Sequence, residues 1–147
     1  MAPGVGKIAH MNLIIPMTVY VLYVALLSLA MLFIRIGAVK RKEVSFGYFK
    51  VYQGAAPDRV IAIGRHFDNQ FQLPVLFFIA CSLYLSLGKS DDIAVIMAWI
   101  FVGLRFAHAF VHLGKNHPLL RAQVYAAGMV VTLLFWVRLC YLVSFAA

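Results

Sequence analysis

The residues of this chain best suited to chemistry recur at helical spacing. Arg65, Asp68, Asn69 and Gln72 stand at i, i+3, i+4 and i+7; Arg105, His108 and His112 at i, i+3 and i+7; Arg121, Tyr125 and Gly128 at i, i+4 and i+7. On a helix, each set shares one face. Turned toward one another, the three stripes would form a cationic, hydrogen-bonding pocket suited to an anionic polar ligand alongside an apolar one. Taken singly, Arg65 with Asp68, or Arg105 with a histidine, would merely satisfy each other and glue helices together. Other chemistries fit these residues less well. His108 and His112 have the i, i+4 spacing of two metal ligands, but a site needs more donors and Asp68 is the one carboxylate among them, so no metal is expected. Either histidine suits a single axial position on a haem, though the two cannot ligate its opposite faces. A proton relay through Asp68, His108 and His112 is conceivable, yet one acid in such a chain makes a poor pump. There is no Gly-rich phosphate loop, Ser-His-Asp order or zinc signature.

The elements that must position these residues follow from composition. The 147 residues are 64% hydrophobic and only 12% charged, and the mean hydropathy is +0.91, where a soluble domain carries about 25% charge. That excludes an ordinary cytosolic enzyme, a disordered chain and a coiled coil; the alternation of a lipid-facing barrel is also missing. Four apolar stretches, 13–36, 60–87, 93–114 and 119–146, each reach the roughly 20 residues that a membrane-crossing helix needs. The expected fold is an all-α integral membrane protein. It forms a single domain over 1–147, an antiparallel four-helix transmembrane bundle joined by short turns at 88–92 and 115–118. Asp91 and Asp92 are placed to cap the third helix, and Pro118 suits the first turn of the fourth.

The longer connection, 37–59, reads as an interfacial segment, with Phe46, Tyr48, Phe49 and Tyr52 at headgroup depth. It holds Lys40, Arg41, Lys42, Lys50 and Arg59, and the third loop adds Lys115, against Lys7 and Lys89 on the other side. The positive-inside rule then puts the first and third loops in the cytoplasm and both termini outside. All three stripes fall in the cytoplasmic half. Arg138, toward the outer half, reads as a snorkelling side chain. Cys81 and Cys140 read as apolar fillers. The first apolar run is too long for a cleaved signal and stays as a span.

In order and spacing, Arg65-x-x-x-Asn69-x-x-Gln72-x-Pro74, then Arg105-Phe106-Ala107-His108 running into His112-Leu113-Gly114-Lys115, then Arg121-x-x-x-Tyr125, the sequence resembles the MAPEG superfamily, membrane-associated proteins in eicosanoid and glutathione metabolism. The run 69–77, with Phe46-Gly47-Tyr48-Phe49 upstream, most resembles uncharacterised bacterial members, which implies a bacterial inner membrane. The resemblance implies a homotrimer holding glutathione between subunits near the cytoplasmic side, and a lipophilic substrate arriving from the lipid. It assigns catalysis to Arg121, which would stabilise a thiolate, and to Tyr125; Arg65, Asn69, Gln72, Arg105, His108 and His112 would bind the glutathione. Gln72 stands where catalytic members usually carry glutamate, Asp68 where some carry a basic residue, and His112 where tyrosine is common.

Two functions follow. The first is a glutathione-dependent transferase or peroxidase acting on lipophilic substrates at the membrane. The second is a non-catalytic lipid-binding or accessory subunit that scaffolds a larger membrane complex. Neither reading involves nucleic acid.

Overall fold

A chain surrounded by lipid must satisfy its own backbone N–H and C=O groups, and helices do this within one segment. The computed structural model describes residues 5–145, with side chains from Leu13 onward, and over that range the chain forms helices and turns without a strand. In order these are α1 (Val5–Lys40), α2 (Tyr48–Val51), α3 (Asp58–Asp68), a 3₁₀ turn (Asn69–Phe71), α4 (Leu73–Ser86), α5 (Asp92–Leu113) and α6 (Pro118–Ser144). Four stretches are long and apolar enough to cross a membrane: Leu13–Lys40, Asp58–Ser86, Asp92–Leu113 and Pro118–Ser144. The protein is a multi-pass integral membrane protein. Lys7, which entered the topology reading, and residue 146, the expected end of the last span, lie outside the described side chains.

Two boundaries differ from expectation. The second span is not one helix over 60–87. Pro74 has no N–H to donate and its ring would clash with the carbonyl four residues back in a continuous helix, so α3 ends, the chain makes one 3₁₀ turn, and α4 begins afresh at Leu73, with Pro74 in its first turn, after Gln72 has left helical geometry (φ −107°, ψ −104°). The first span runs past Ile36 to Lys40. It closes with Lys42 in the left-handed region (φ 56°), while Lys42 N–H donates to Val39 O at 2.9 Å and Glu43 N–H to Ala38 O at 3.0 Å. That paired closure satisfies carbonyls that the helix end would otherwise leave open.

The caps follow the sequence more closely. Asp91 accepts from Ala94 N–H at 2.9 Å, Pro118 occupies the first turn of α6, and the preceding His117 accepts from Leu120 N–H at 3.5 Å. Inside the bundle, Phe77 stacks on Phe101 with ring centroids 4.2 Å apart, and Tyr84 on Phe135 at 4.5 Å. Fully buried Ala80, Ala94 and Ala98 let helix backbones approach closely, the usual device where lipid removes the hydrophobic drive between helices. The large apolar side chains left exposed, such as Leu26, Phe33 and Val137, are those a bilayer would solvate.

Arg138 reaches the polar turn that opens α5. It forms an ion pair with Asp91, lies 3.5 Å from the Tyr84 hydroxyl, and Tyr84 itself donates to Phe135 O at 3.1 Å. Asp91 therefore caps α5 and ties it to α6 with the same carboxylate. Cys81 is buried and Cys140 exposed, and both are free thiols. In the interfacial segment, Glu43 accepts from Arg41 at 3.1 Å and pairs with Arg59. It closes the segment over a small cluster of Ala38, Val44 and Val60.

Replacing Asp91 with Ala removes cap and ion pair together and should lower stability by about 1–2 kcal/mol, read as a reduced Tm in detergent; an unchanged Tm would show the pair to be idle. The hydrogen bonds from Arg41 and Arg59 hold the Glu43 carboxyl below its ordinary value. A folded value below the unfolded one means that this stabilisation is complete above the ordinary glutamate range and is lost as pH falls through the folded value. A spin label at Phe46→Cys, in a Cys140→Ser background, should become more mobile on acidification below that range. Glu43→Gln should show the mobile spectrum at neutral pH.

Candidate functional site

Of the polar positions on α3 and the turn that follows it, Arg65, Asp68, Asn69 and Gln72 come together with His108 and His112 of α5 and with Arg121, Ala122 and Tyr125 of α6 around one cavity of about 450 Å³. Small-molecule sites span about 300–1,000 Å³. The three stripes thus converge, with two exceptions. Gly128 is buried beyond the cavity, where a Cβ would lie 3.6 Å from the Leu73 side chain, and Arg105 stands behind the wall.

Arg121 is fixed from two sides. It donates to Asn116 Oδ1 at 2.9 Å and lies 3.3 Å from His112 Nδ1, while His112 Nε2 lies 3.3 Å from Ala62 O. One tautomer serves both contacts: Nε2–H donates to the carbonyl and Nδ1 accepts from the guanidinium. By contrast, Arg65 and Asp68 form no ion pair with each other, and among the described residues the side chains of Arg65, Asp68, Asn69, Gln72 and Tyr125 have no hydrogen-bond partner. Their donors and acceptors remain available to whatever enters.

Arg105 is 1% exposed and does structural work. Its Nε donates to the Tyr20 hydroxyl at 3.3 Å, a terminal nitrogen donates to Asn69 O at 3.3 Å, and the guanidinium lies 5.9 Å from the Tyr125 ring centroid. It supplies a donor to a carbonyl at the break in the second span and backs two residues of the cavity wall.

Sequence reasoning missed the layer behind that wall. Tyr20 donates to Gln70 Oε1 at 2.5 Å, Tyr23 lies 2.5 Å from His66 Nε2, and Gln70 donates to His66 O at 2.6 Å. The His66 ring packs on His108 at 5.6 Å and on His112 at 5.2 Å. Tyr20 and Tyr23 at i, i+3 and His66 and Gln70 at i, i+4 were the available signals. The three rings face one another instead of aiming nitrogens at a common point, and the described residues hold no group of three or more ligands that could bind a metal.

Residues 13–141, most of the chain, match the model of the MAPEG family. The chain belongs to the MAPEG family. No curated protein and no solved structure matches it. MAPEG proteins include glutathione-dependent transferases and peroxidases as well as non-catalytic members, and they generally use glutathione.

In this MAPEG chain the two arginines on either side of the cavity wall should respond oppositely to truncation. Arg105→Met takes the donor from the Asn69 carbonyl and one of two bonds from the Tyr20 hydroxyl, which keeps Gln70, and should cost about 2–3 kcal/mol. Arg65→Met breaks no internal contact and should stay within about 0.5 kcal/mol. Paired thermal melts in one detergent decide the matter, and equal losses would contradict this division of roles.

Proposed function

We propose that this MAPEG protein is a glutathione-dependent transferase or peroxidase acting on lipophilic substrates at the membrane. The observation that carries this reading is the unspent hydrogen-bonding capacity of Arg65, Asp68, Asn69, Gln72 and Tyr125 around one cavity, beside an Arg121 already held in place. A tripeptide with two carboxylates, an ammonium and a thiol suits that mixture of charges. Glutathione, when bound, supplies the thiol sulfur that attacks an electrophile or a hydroperoxide.

The protein's part is electrostatic. Arg121, oriented by its Asn116 and His112 contacts, presents a positive charge that favours the thiolate over the thiol and so raises the nucleophilic fraction. The free Tyr125 hydroxyl donates to the same sulfur. Arg65 takes a carboxylate, and Asn69 takes peptide groups. Gln72 lacks the charge of the glutamate usual in catalytic members, but Asp68 lines the same cavity, unpaired, and supplies a carboxylate for the ligand's ammonium. Arg105 acts from behind, through Asn69 and Tyr125.

The cavity's open side supports a homotrimer of antiparallel four-helix subunits. Arg65, Asp68 and Gln72 are exposed on a single chain although they lie within a membrane-crossing stretch, and polar groups there are costly unless another subunit covers them. A lipophilic substrate would then reach the sulfur along the subunit boundary. The basic loops favour placement of this end in the cytoplasm of a bacterial inner membrane, with both termini outside.

Glutathione should raise the Tm of the purified protein, because a ligand that binds only the folded state stabilises it. Asp68→Asn should weaken binding about tenfold, and adding Gln72→Glu should restore it. The bound thiolate absorbance should vanish in Arg121→Ala. Absence of both binding and turnover with an aromatic electrophile would sink the enzyme reading and leave the accessory or scaffolding role, for which a stoichiometric partner should co-purify in mild detergent.

A further inference from the structure

Of the basic side chains from Arg35 to Arg59, two are paired with a carboxylate. Arg41 and Arg59 both engage Glu43, which accounts for the one acid of that segment. Arg35 and Lys40, at the end of α1, have no ion pair and no side-chain hydrogen bond among the described residues. Arg35 is nonetheless held in place. Its guanidinium lies 5.3 Å from the Phe49 ring centroid and 5.6 Å from that of Tyr52, and it packs against α3 at Gly64, where an added Cβ would lie in ordinary van der Waals contact, 3.5 Å from a guanidinium nitrogen. Its Nε is buried without a partner. A cation held against aromatic faces, without an ion pair or a side-chain hydrogen bond among the described residues, is suited to an oxyanion at its terminal nitrogens.

Two cavities meet at this guanidinium. One, of about 350 Å³, is polar and reaches Arg65 and Asp68, although Asp68 is not within ion-pairing distance of Arg35. The other, of about 440 Å³, runs along α1, walled by Leu32, Ile36, Val39, Phe46 and Phe49, with Lys40 at its edge. A soluble anion would use the charge and leave this apolar volume unfilled. A zwitterionic lipid would fill the volume but bring an ammonium toward two uncompensated cations. An acidic lipid satisfies both, as basic pockets at membrane interfaces generally do.

We propose that Arg35 and the apolar cavity beside it form a binding site for one acidic membrane lipid, its anionic headgroup on the Arg35 guanidinium and an acyl chain between α1 and the interfacial segment. The apolar cavity shares no lining residue with the cavity at Arg121, while the polar one beside Arg35 borders it through Arg65 and Asp68.

The test is native mass spectrometry of the delipidated, detergent-solubilised assembly, titrated with phosphatidylglycerol, with phosphatidylcholine of the same chains, and with inorganic phosphate. Wild type should retain one phosphatidylglycerol per subunit about tenfold more tightly than phosphatidylcholine, and phosphate alone should not bind. Arg35→Gln should abolish the preference, while Arg41→Gln, which alters a cation already paired, should keep it. Ile36→Trp should fill the acyl cavity and expel the lipid with the guanidinium intact. Equal retention of the two lipids, phosphate binding as tight as the lipid, or an unchanged preference in Arg35→Gln would overturn the proposal. If Arg35→Gln does not fold, Ile36→Trp carries the test alone, and lipid retained there overturns it.

Discussion

The bond from Arg105 to the carbonyl of Asn69 addresses a problem that Pro74 creates. Where α3 gives way to α4, backbone groups lose their helical partners in a region with no water to replace them, and each would be costly if left open. Arg105 reaches from α5 to one of them, Gln70 turns back to the carbonyl of His66, and Tyr20 of α1 joins both, donating to Gln70 and accepting from Arg105. Three membrane-crossing stretches are thereby pinned at one depth. The cavity wall stands on one side of this junction and the aromatic core on the other.

Hydropathy made the four spans legible, because length and apolarity are additive along the chain, and local chemistry made the caps at Asp91 and Pro118 legible for the same reason. The lining of the candidate cavity was largely legible too: helical spacing gathered Arg65, Asp68, Asn69, Gln72, His108, His112, Arg121 and Tyr125, all of which face it. The misses are tertiary in kind. Pro74 was visible, but an averaged hydropathy is indifferent to whether one helix or two occupy a span. Arg138 and Asp91 are 47 residues apart, and nothing local to either announces the other. His66 and Gln70 each follow a stripe residue by one position, a rotation of roughly 100°, enough to turn them from the cavity into the interior. Tyr20 and Tyr23 passed as apolar residues until their hydroxyls found partners.

The formal charge of +8 conceals very different situations. Arg138 is paired with Asp91, and Arg41 and Arg59 share the single charge of Glu43. Arg105 is buried and hydrogen-bonded to neutral groups, with one nitrogen unpartnered. Arg121 is oriented by neutral side chains, and Arg35 and Arg65 confront open volume. In so apolar a chain an uncompensated guanidinium is expensive, so the arginines without internal partners identify the places where something from outside the chain belongs.

The division of the second span at Asn69–Phe71 also bears on which residues are free to change. α3 carries the polar face, while α4 contributes Phe77, Ala80, Cys81 and Tyr84 to the interior. α3 also buries Val60, Ile63 and His66, so within it only the face that carries Arg65 and Asp68 is free of internal partners. Residues such as Asp68 and Gln72, which hold up nothing else, can change while the packing stays constant, a physical basis for varied chemistry on one membrane scaffold.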